Sequence, residues 1–489
     1  MAEIKTIGVI GAGAMGAGIA QAALLADIDV ILVDQSVDAL NAAARKIKDG
    51  IFRLTEKGAL SQDQANRAIV RLSLASDPEP LSAADLVVEA IVEKLDVKQD
   101  LFQALEAILP AHAILATNTS SLSVAEVAKP CKAKQRVCGL HFFNPVHAMK
   151  LVEVIATPDT SVETLEAATA FAKRLGKTPV IVKDYPGFLV NLAGRAYTTE
   201  GLHVLWEQVA DAATIDRIMR DGAGFRMGPL ELMDFTGIDV NYPVTNIIHA
   251  GFQYDPRLKT TPPHAALLNA GRLGKKSGQG FYDYENPTPT AEAPAVEPYR
   301  GPFHARIAEY APGFAILRAQ AALADGDSSG PILVAPLGED ATTICHRLGL
   351  DPSRTVAIDF TALDRNHLTL MSAPCPNSEI DRVAQWLRGA GFKVEIIQDS
   401  PGFVLQRILA MVANLGAEIA QTGISKPTDI DTAMKLAQNY PKGPIEWLDH
   451  LGAANAHRIL LNLQTITGSD RYRPSLWLRR AALLGQHPS

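Results

Sequence analysis

The chain has 489 residues, too many for one ordinary hydrophobic core, so two to four domains are expected. Its balance of 47% hydrophobic and 20% charged residues is that of a folded globular protein, which excludes disordered and collagen-like classes. A net charge of −7 argues against nucleic acid as a general partner, because phosphate backbones need clustered Lys and Arg, yet it leaves room for a local basic pocket.

The first predicted strand, Lys5 to Ile10, starts so early that no signal peptide is expected before it. No apolar run reaches bilayer length, so no membrane partner is expected. Cys131, Cys138, Cys345 and Cys375 are scattered, without CxxC or histidines at zinc spacing. Reduced thiols in a cytoplasmic protein follow, with neither a disulfide framework nor a metal site.

After that strand comes Gly11-Ala-Gly13-Ala14-Met15-Gly16, then a small-residue helix, Ala17 to Ala26, and a second strand, Asp29 to Val33, ending at Asp34. This is the arrangement that binds a dinucleotide. Gly11 makes the turn, Gly13 lets a pyrophosphate approach the backbone at Ala14 and Met15, and Gly16 lets helix and strand pack. Asp34 stands where a carboxylate accepts hydrogen bonds from ribose hydroxyls and repels a 2′-phosphate, and Gln35 follows rather than Arg, so NAD is favoured over NADP. Next, Ile51 to Leu72 reads as an amphipathic helical hairpin turning near Lys57-Gly58, its basic residues Arg53 and Lys57 either a contact for ligand phosphates or, more simply, a solvated face. Further strands are predicted at Asp85–Ala90, Ala113–Thr117, Arg136–Phe142, Leu151–Ile155 and Thr178–Val182, giving an α/β, Rossmann-type doubly wound sheet.

In such sheets ligands bind beyond the carboxyl ends of strands. Asn118-Thr-Ser120-Ser follows one strand, and His141-Phe-Phe-Asn144-Pro ends the next. Glu153 lies inside an apolar strand, where a carboxylate is costly unless paired, and His141 is 12 residues upstream. Removing hydride from a carbinol carbon requires loss of the hydroxyl proton to a base of near-neutral pKa, which histidine supplies. A carboxylate on its far nitrogen fixes the tautomer. Each residue alone has an ordinary structural reading: Ser120 as a helix cap, Asn144 as a turn residue before proline, His141 as a satisfied structural histidine.

Together, Asn118-Thr-Ser120-Ser-Leu, His141-Phe-Phe-Asn-Pro-Val, Met149-Lys-Leu-Val-Glu153-Val, Asp184-Tyr-Pro-Gly-Phe-Leu-Val-Asn191, Gly228-Pro-Leu-Glu-Leu-Met-Asp234 and Gly271 to Asp283 resemble the signatures of 3-hydroxyacyl-CoA dehydrogenases over residues 1 to about 285. The resemblance implies NAD as cofactor and an acyl-CoA thioester as substrate, short-chain or the dicarboxylic 3-hydroxyadipyl type. It implies His141 as general base, Glu153 as its orienting partner, and Ser120 and Asn191 on the substrate oxygens. Asp34 would meet the adenosine ribose. Glu93, Lys98 and Asn144 would line the nicotinamide half of the cofactor, beside Asn118, and Lys57 would lie where the family meets coenzyme A. One departure stands out: the family's Val-Asn-Arg here reads Val190-Asn191-Leu192, with Arg195 three positions on.

Beyond a Pro/Ala-rich stretch at 285–301, read as a linker, an internal repeat appears at an offset of 215. Asp184-Tyr-Pro-Gly-Phe188 recurs as Asp399-Ser-Pro-Gly-Phe403, Ile215-Asp216 as Ile430-Asp431, and Gly228-Pro-x-Glu231 as Gly443-Pro-x-Glu446. Asn191 becomes Gln406. Strands at Pro331–Val334 and Thr355–Asp359 suggest an α/β remnant, and Ala335-Pro-Leu-Gly-Glu is no glycine fingerprint. The expected organisation is an NAD-binding domain at 1–183, a helical substrate and dimerisation domain at 184–284, a degenerate α/β segment at 302–398 and a second helical domain at 399–489. A tandem helical copy can imitate a second subunit, so a homodimer and a monomer with an intrachain pseudo-dimer are both open. Two rival functions are a dehydrogenase of a free hydroxy acid, such as a sugar acid or carnitine, and a non-catalytic NAD-binding scaffold.

Overall fold

The computed structural model describes residues 4–286, 301–326 and 329–487. The linker expected at 285–301 lies outside the described residues except at its ends. By contact density the chain divides into two compact units, 1–192 with 423–438 and 193–422 with 439–489.

The first unit holds an eight-stranded sheet of β1 (Thr6–Ile10), β2 (Asp29–Val33), β3 (Leu72–Ala75), β4 (Leu86–Glu89), β5 (Ile114–Thr117), β6 (Val137–Phe142), β7 (Leu151–Ala156) and β8 (Thr178–Lys183). The order is β3-β2-β1-β4-β5-β6-β7-β8, and all neighbours run parallel except β6 and β7. β4, β5 and β6 are buried throughout, which is why they read as unbroken apolar runs rather than alternating ones. The direction of winding reverses between β1 and β4, the place where such sheets open a crevice for ligands.

The hairpin differs from its expected span. Its helices are Val37–Glu56 and Gln62–Val70, the second started by a capping box in which Ser61 and Gln64 bond each other's backbone. β3 then follows at once, where the sequence reading had no strand. Its four residues, Leu-Ser-Leu-Ala, form a sheet edge with no buried position, so they carry too little apolar pattern to announce themselves.

The second unit contains a smaller sheet of β9 (Phe303–Ile307), β10 (Leu323–Asp325), β11 (Ile332–Val334), β12 (Thr355–Asp359), β13 (His367–Met371) and β14 (Lys393–Ile396), ordered β10-β9-β11-β12-β13-β14. It ends as the first sheet does: β12 and β13 are antiparallel, and β13 and β14 parallel. Asp184 accepts the N-terminal N–H groups of the helix after β5, and Asp399, its repeat, does the same for the helix after β11. β9 to β14 therefore match β1, β2, β5, β6, β7 and β8, and among the described residues there is no counterpart of β3, β4 or the helical hairpin. This corrects the register of the lost fingerprint. The turn that corresponds to Gly11–Gly16 is Ala308-Glu-Tyr-Ala-Pro-Gly313 after β9, and Ala335-Pro-Leu-Gly338 instead matches Asn118-Thr-Ser-Ser121.

The rest of the second unit is helical, organised around Leu405–Gln421, which is buried along nearly its whole length and packs on Arg195–Trp206, Pro444–Leu451, Ala453–Thr467 and Leu476–Leu484. Glu200, from the first helical span, is fully buried between Arg407 Nε at 2.5 Å and Arg471 Nε at 2.6 Å, both from the second. Tyr472 donates to the same carboxylate at 2.9 Å.

Helices are exchanged between the copies. Pro427–Gln438, from the span expected to form the second helical domain, belongs to the first unit, where it packs on β7 and β8. Its repeat counterpart, Ala212–Arg217 continued by the π turn Ile218–Gly222, packs on β13 in the second unit. The backbone joins match residue for residue under the 215 offset: Lys183 N–H donates to the Ile424 carbonyl, and Gln398 N–H to the Val209 carbonyl.

Candidate active site

The glycine loop fits a dinucleotide. Gly11 has φ +102°, closed to most side chains, and a Cβ at Gly16 would overlap the Gly11 carbonyl. Nothing lies within 4 Å of a Cβ at Gly13, so the first turn of the helix Ala14–Leu25 is open to an incoming phosphate. Asp34 Oδ2 accepts the Ala12 N–H at 2.8 Å and Oδ1 the Ser36 N–H at 2.9 Å, which fixes the carboxylate beside the loop with lone pairs left for ribose hydroxyls.

Past β4 and β5, the expected residues gather. Glu93 Oε1 accepts from the Thr119 hydroxyl at 2.5 Å, the Ser120 N–H at 3.1 Å and the Ser121 hydroxyl at 3.1 Å. Burial alone would raise its pKa, but the Thr119 bond and the Lys98 ammonium outweigh that and hold it below the usual carboxylate range. Lys98 is itself buried, 3.1 Å from Glu93 and 2.5 Å from Glu89. Glu89 also accepts from the Thr117 hydroxyl and the Ile91 N–H, and no reading of the sequence singled it out. Its only signal was an acidic residue closing an apolar strand, the same signal that pointed to Glu153. Asn118 Oδ1 accepts the Phe142 N–H at 2.9 Å, tying the end of β5 to the end of β6. Asn144 is exposed just beyond β6, joined to Pro145 by a cis peptide bond.

The antiparallel pairing of β6 with β7 sets His141 opposite Glu153. His141 Nδ1 lies 2.6 Å from Glu153 Oε2, and both side chains are buried. Glu153 Oε1 accepts the N–H groups of Leu189 and Val190 at 2.9 Å each, at the opening turn of the short helix that carries Asn191. With four acceptor positions and three donors supplied by neighbours, the carboxylate cannot swing away from the ring. Nδ1 is thereby assigned the proton, and Nε2 is left as the basic nitrogen. Phe143 and Phe188 pack on the imidazole at centroid distances of 4.4 and 6.0 Å. Asn191 is half-buried and Ser120 exposed.

Lys57 lies elsewhere in the first unit, at the end of Val37–Glu56. It lines a cavity of about 680 Å³ with Arg45, Lys46, Arg53, His147 and Lys177. The sequence reading took Arg53 for a solvated face and passed over Arg45, Lys46 and Lys177. Arg45, Lys46, Arg53 and Lys57 all belong to one helix and its C-cap, and Lys177 and His147 join them from outside the hairpin only in the fold. Arg195, the displaced family arginine, is buried in the second unit, donating to the Thr245 hydroxyl at 2.8 Å, with burial lowering its pKa to about 10.

Comparison with known proteins gives the following matches. The family model for the 3-hydroxyacyl-CoA dehydrogenase NAD-binding domain matches residues 6–185, and that for the 3-hydroxyacyl-CoA dehydrogenase C-terminal domain matches 187–284 and again 402–488. The chain is 38% identical over 486 residues to 3-hydroxyadipyl-CoA dehydrogenase of Escherichia coli K12, covering 99% of this chain and 98% of that one. A probable 3-hydroxybutyryl-CoA dehydrogenase of Bacillus subtilis is 42% identical over 58% of this chain and 99% of its own. The crystal structure of 3-hydroxybutyryl-CoA dehydrogenase from Escherichia coli K12 superposes with a TM-score of 0.86 at 38% identity, covering 99% of each chain.

Proposed function

The chain belongs to the 3-hydroxyacyl-CoA dehydrogenase family, and from that premise we propose that it oxidises the 3-hydroxyl of an acyl-CoA thioester to the 3-oxo group, with His141 as general base. Bound in the glycine-loop crevice, NAD+ supplies the hydride acceptor. His141 Nε2 takes the hydroxyl proton, and Glu153 stabilises the resulting imidazolium through Nδ1. Glu153 acts through His141 and is a positioning residue; Ser120 and Asn191 hold the substrate oxygens in line. Glu93, charged and fixed by Thr119 and Lys98, shapes the nicotinamide side of the site together with Asn118 and Asn144.

The observation that carries this reading is the His141–Glu153 pair, with Glu153 anchored a second time by two backbone N–H groups. The basic cavity around Lys57 favours a coenzyme A thioester over a free hydroxy acid, since a polyphosphorylated tail needs several cations and a small acid does not. A short-chain and a 3-hydroxyadipyl thioester are both accommodated by the reading. Four free cysteines suit a reducing, cytoplasmic setting, and among the described residues no helix is long and apolar enough to cross a membrane. The exchanged helix Pro427–Gln438 supports an intrachain pseudo-dimer, with the second copy supplying in cis what a partner subunit would otherwise bring.

The test is reduction of acetoacetyl-CoA followed by NADH absorbance. Wild type should turn over, and Glu153→Gln should lose activity while still binding NADH. If wild type reduces a free 3-oxo acid and ignores the thioester, the acyl-CoA reading fails.

A further inference from the structure

The second sheet retains a cleft where the first has its active site. His141 pairs with Glu153, and Glu153 with Val180 across β8. In the second sheet Asp359 pairs with Thr369, and Thr369 with Glu395, which is Val180 displaced by the repeat offset of 215. Asp359 therefore occupies the position of the base and Thr369 that of its carboxylate partner. Leu337 stands for Ser120, Ala335 for Asn118, and Gln406 for Asn191. Asp359, Leu337, Ala335 and Gln406 all line one cavity of about 650 Å³ within the second unit.

That cavity takes neither a dinucleotide nor coenzyme A. A Cβ at Gly313 would overlap the Phe360 ring, which lies against the first turn of the helix Pro312–Gln320. Among the described residues the second copy has no counterpart of the β4–β5 segment that carries Glu93 and Lys98, nor of the helix that carries Arg45, Lys46 and Arg53 and is capped by Lys57.

What the cavity does hold is a charge in search of a partner. Asp359 is 2% exposed. Its Oδ1 accepts from the Thr361 N–H at 2.9 Å, the Thr361 hydroxyl at 2.6 Å and Gln406 Nε2 at 3.0 Å, while Oδ2 is buried with no donor among the described residues. Three donors on one oxygen orient the carboxylate and leave the other for a ligand. An isolated buried carboxylate is costly, and burial raises this one's pKa. Asp364 adds negative charge at the rim, where Glu309 is already paired with Arg347 at 3.1 Å; Arg458 and His450 are the basic lining residues, and much of the remaining wall is apolar, with Ile316, Leu337, Ile358 and Ile459. We infer that this cleft is a binding site for a small apolar amine, whose ammonium group would pair with Asp359 Oδ2 while its hydrocarbon body fills the cavity.

The probe is n-hexylamine, titrated into the full chain by calorimetry beside 1-hexanol and hexanoate, with saturation-transfer NMR as a second readout. Hexylamine should bind at one site and more tightly than either competitor. Asp359→Asn should weaken it by about tenfold or more, the scale of a lost charge-assisted bond, and Ala335→Trp should abolish binding by filling the cavity from its wall. Circular dichroism verifies the fold of both variants. Hexylamine binding no tighter than hexanoate, or binding unchanged in Asp359→Asn or in Ala335→Trp, would overturn the proposal.

Discussion

Two sheets in one chain end in the same three-strand pattern, and only the first of them carries a His–Glu pair. In the first, a buried carboxylate holds a histidine. In the second, the partner carboxylate has become Thr369 and the histidine Asp359, which leans instead on Gln406 and Thr361. The difference teaches that the scaffold and the chemistry are separable. The β12–β14 pairing, the Asp399 cap and the exchanged helix all survive the loss of the glycine loop and of two strands, because they are held by backbone hydrogen bonds and apolar packing that do not depend on the reacting groups.

The largest expected effect breaks the comparison at its centre. His141→Ala should lower kcat for acetoacetyl-CoA by about 10³-fold, the usual scale for losing a general base, while Asp359→Ala leaves it unchanged; steady-state kinetics on both variants decides. Next comes the seam between the copies. Arg407→Leu removes one of two guanidinium partners of the buried Glu200 and should cost about 3–5 kcal/mol in urea unfolding. The same carboxylate gives a pH test. Burial alone would raise its pKa, but Arg471 and Arg407 hold it at about 2, below its ordinary 4.5. The stability it contributes is thus complete above about pH 4.5 and is lost as the pH falls towards 2, so urea midpoints should decline across that window in wild type and less steeply in Glu200→Gln. Smaller still, Arg53→Ala combined with Lys57→Ala should raise KM for acetoacetyl-CoA about tenfold with kcat held, the scale of a lost charge-assisted contact or two. The pantetheine thioester, lacking the nucleotide, should show no change. The smallest effect is none: adding Asp359→His and Thr369→Glu to His141→Ala should restore no NADH oxidation, because Phe360 still lies against the first turn of the helix Pro312–Gln320.

Much of the first site was legible because its signals are local. The glycine loop is six consecutive residues, and His141 and Glu153 face each other across adjacent strands, so a separation of 12 residues was enough to suggest the pair. Glu89 escaped notice because its partner Lys98 reaches it from the following helix, and the basic cavity because basic residues along one amphipathic helix read as a solvated face, while Lys177 joins them only in the fold. The helical repeat was readable without gaps from Asp399 onward. Upstream of that point the copies differ by whole strands, so β9 went unseen, the lost fingerprint was sought after β11, and the replacement of His141 by Asp359 became visible only through strand register.

The exchanged helix also bears on how the enzyme meets dilution. Where such a helix comes from another molecule, its occupancy on β7 and β8 depends on how much protein is present. Here Pro427–Gln438 is tethered to the sheet it covers, and its effective concentration is set by the length of its own chain. Specific activity should then hold constant down to nanomolar enzyme, and thermal midpoints should not move with protein concentration.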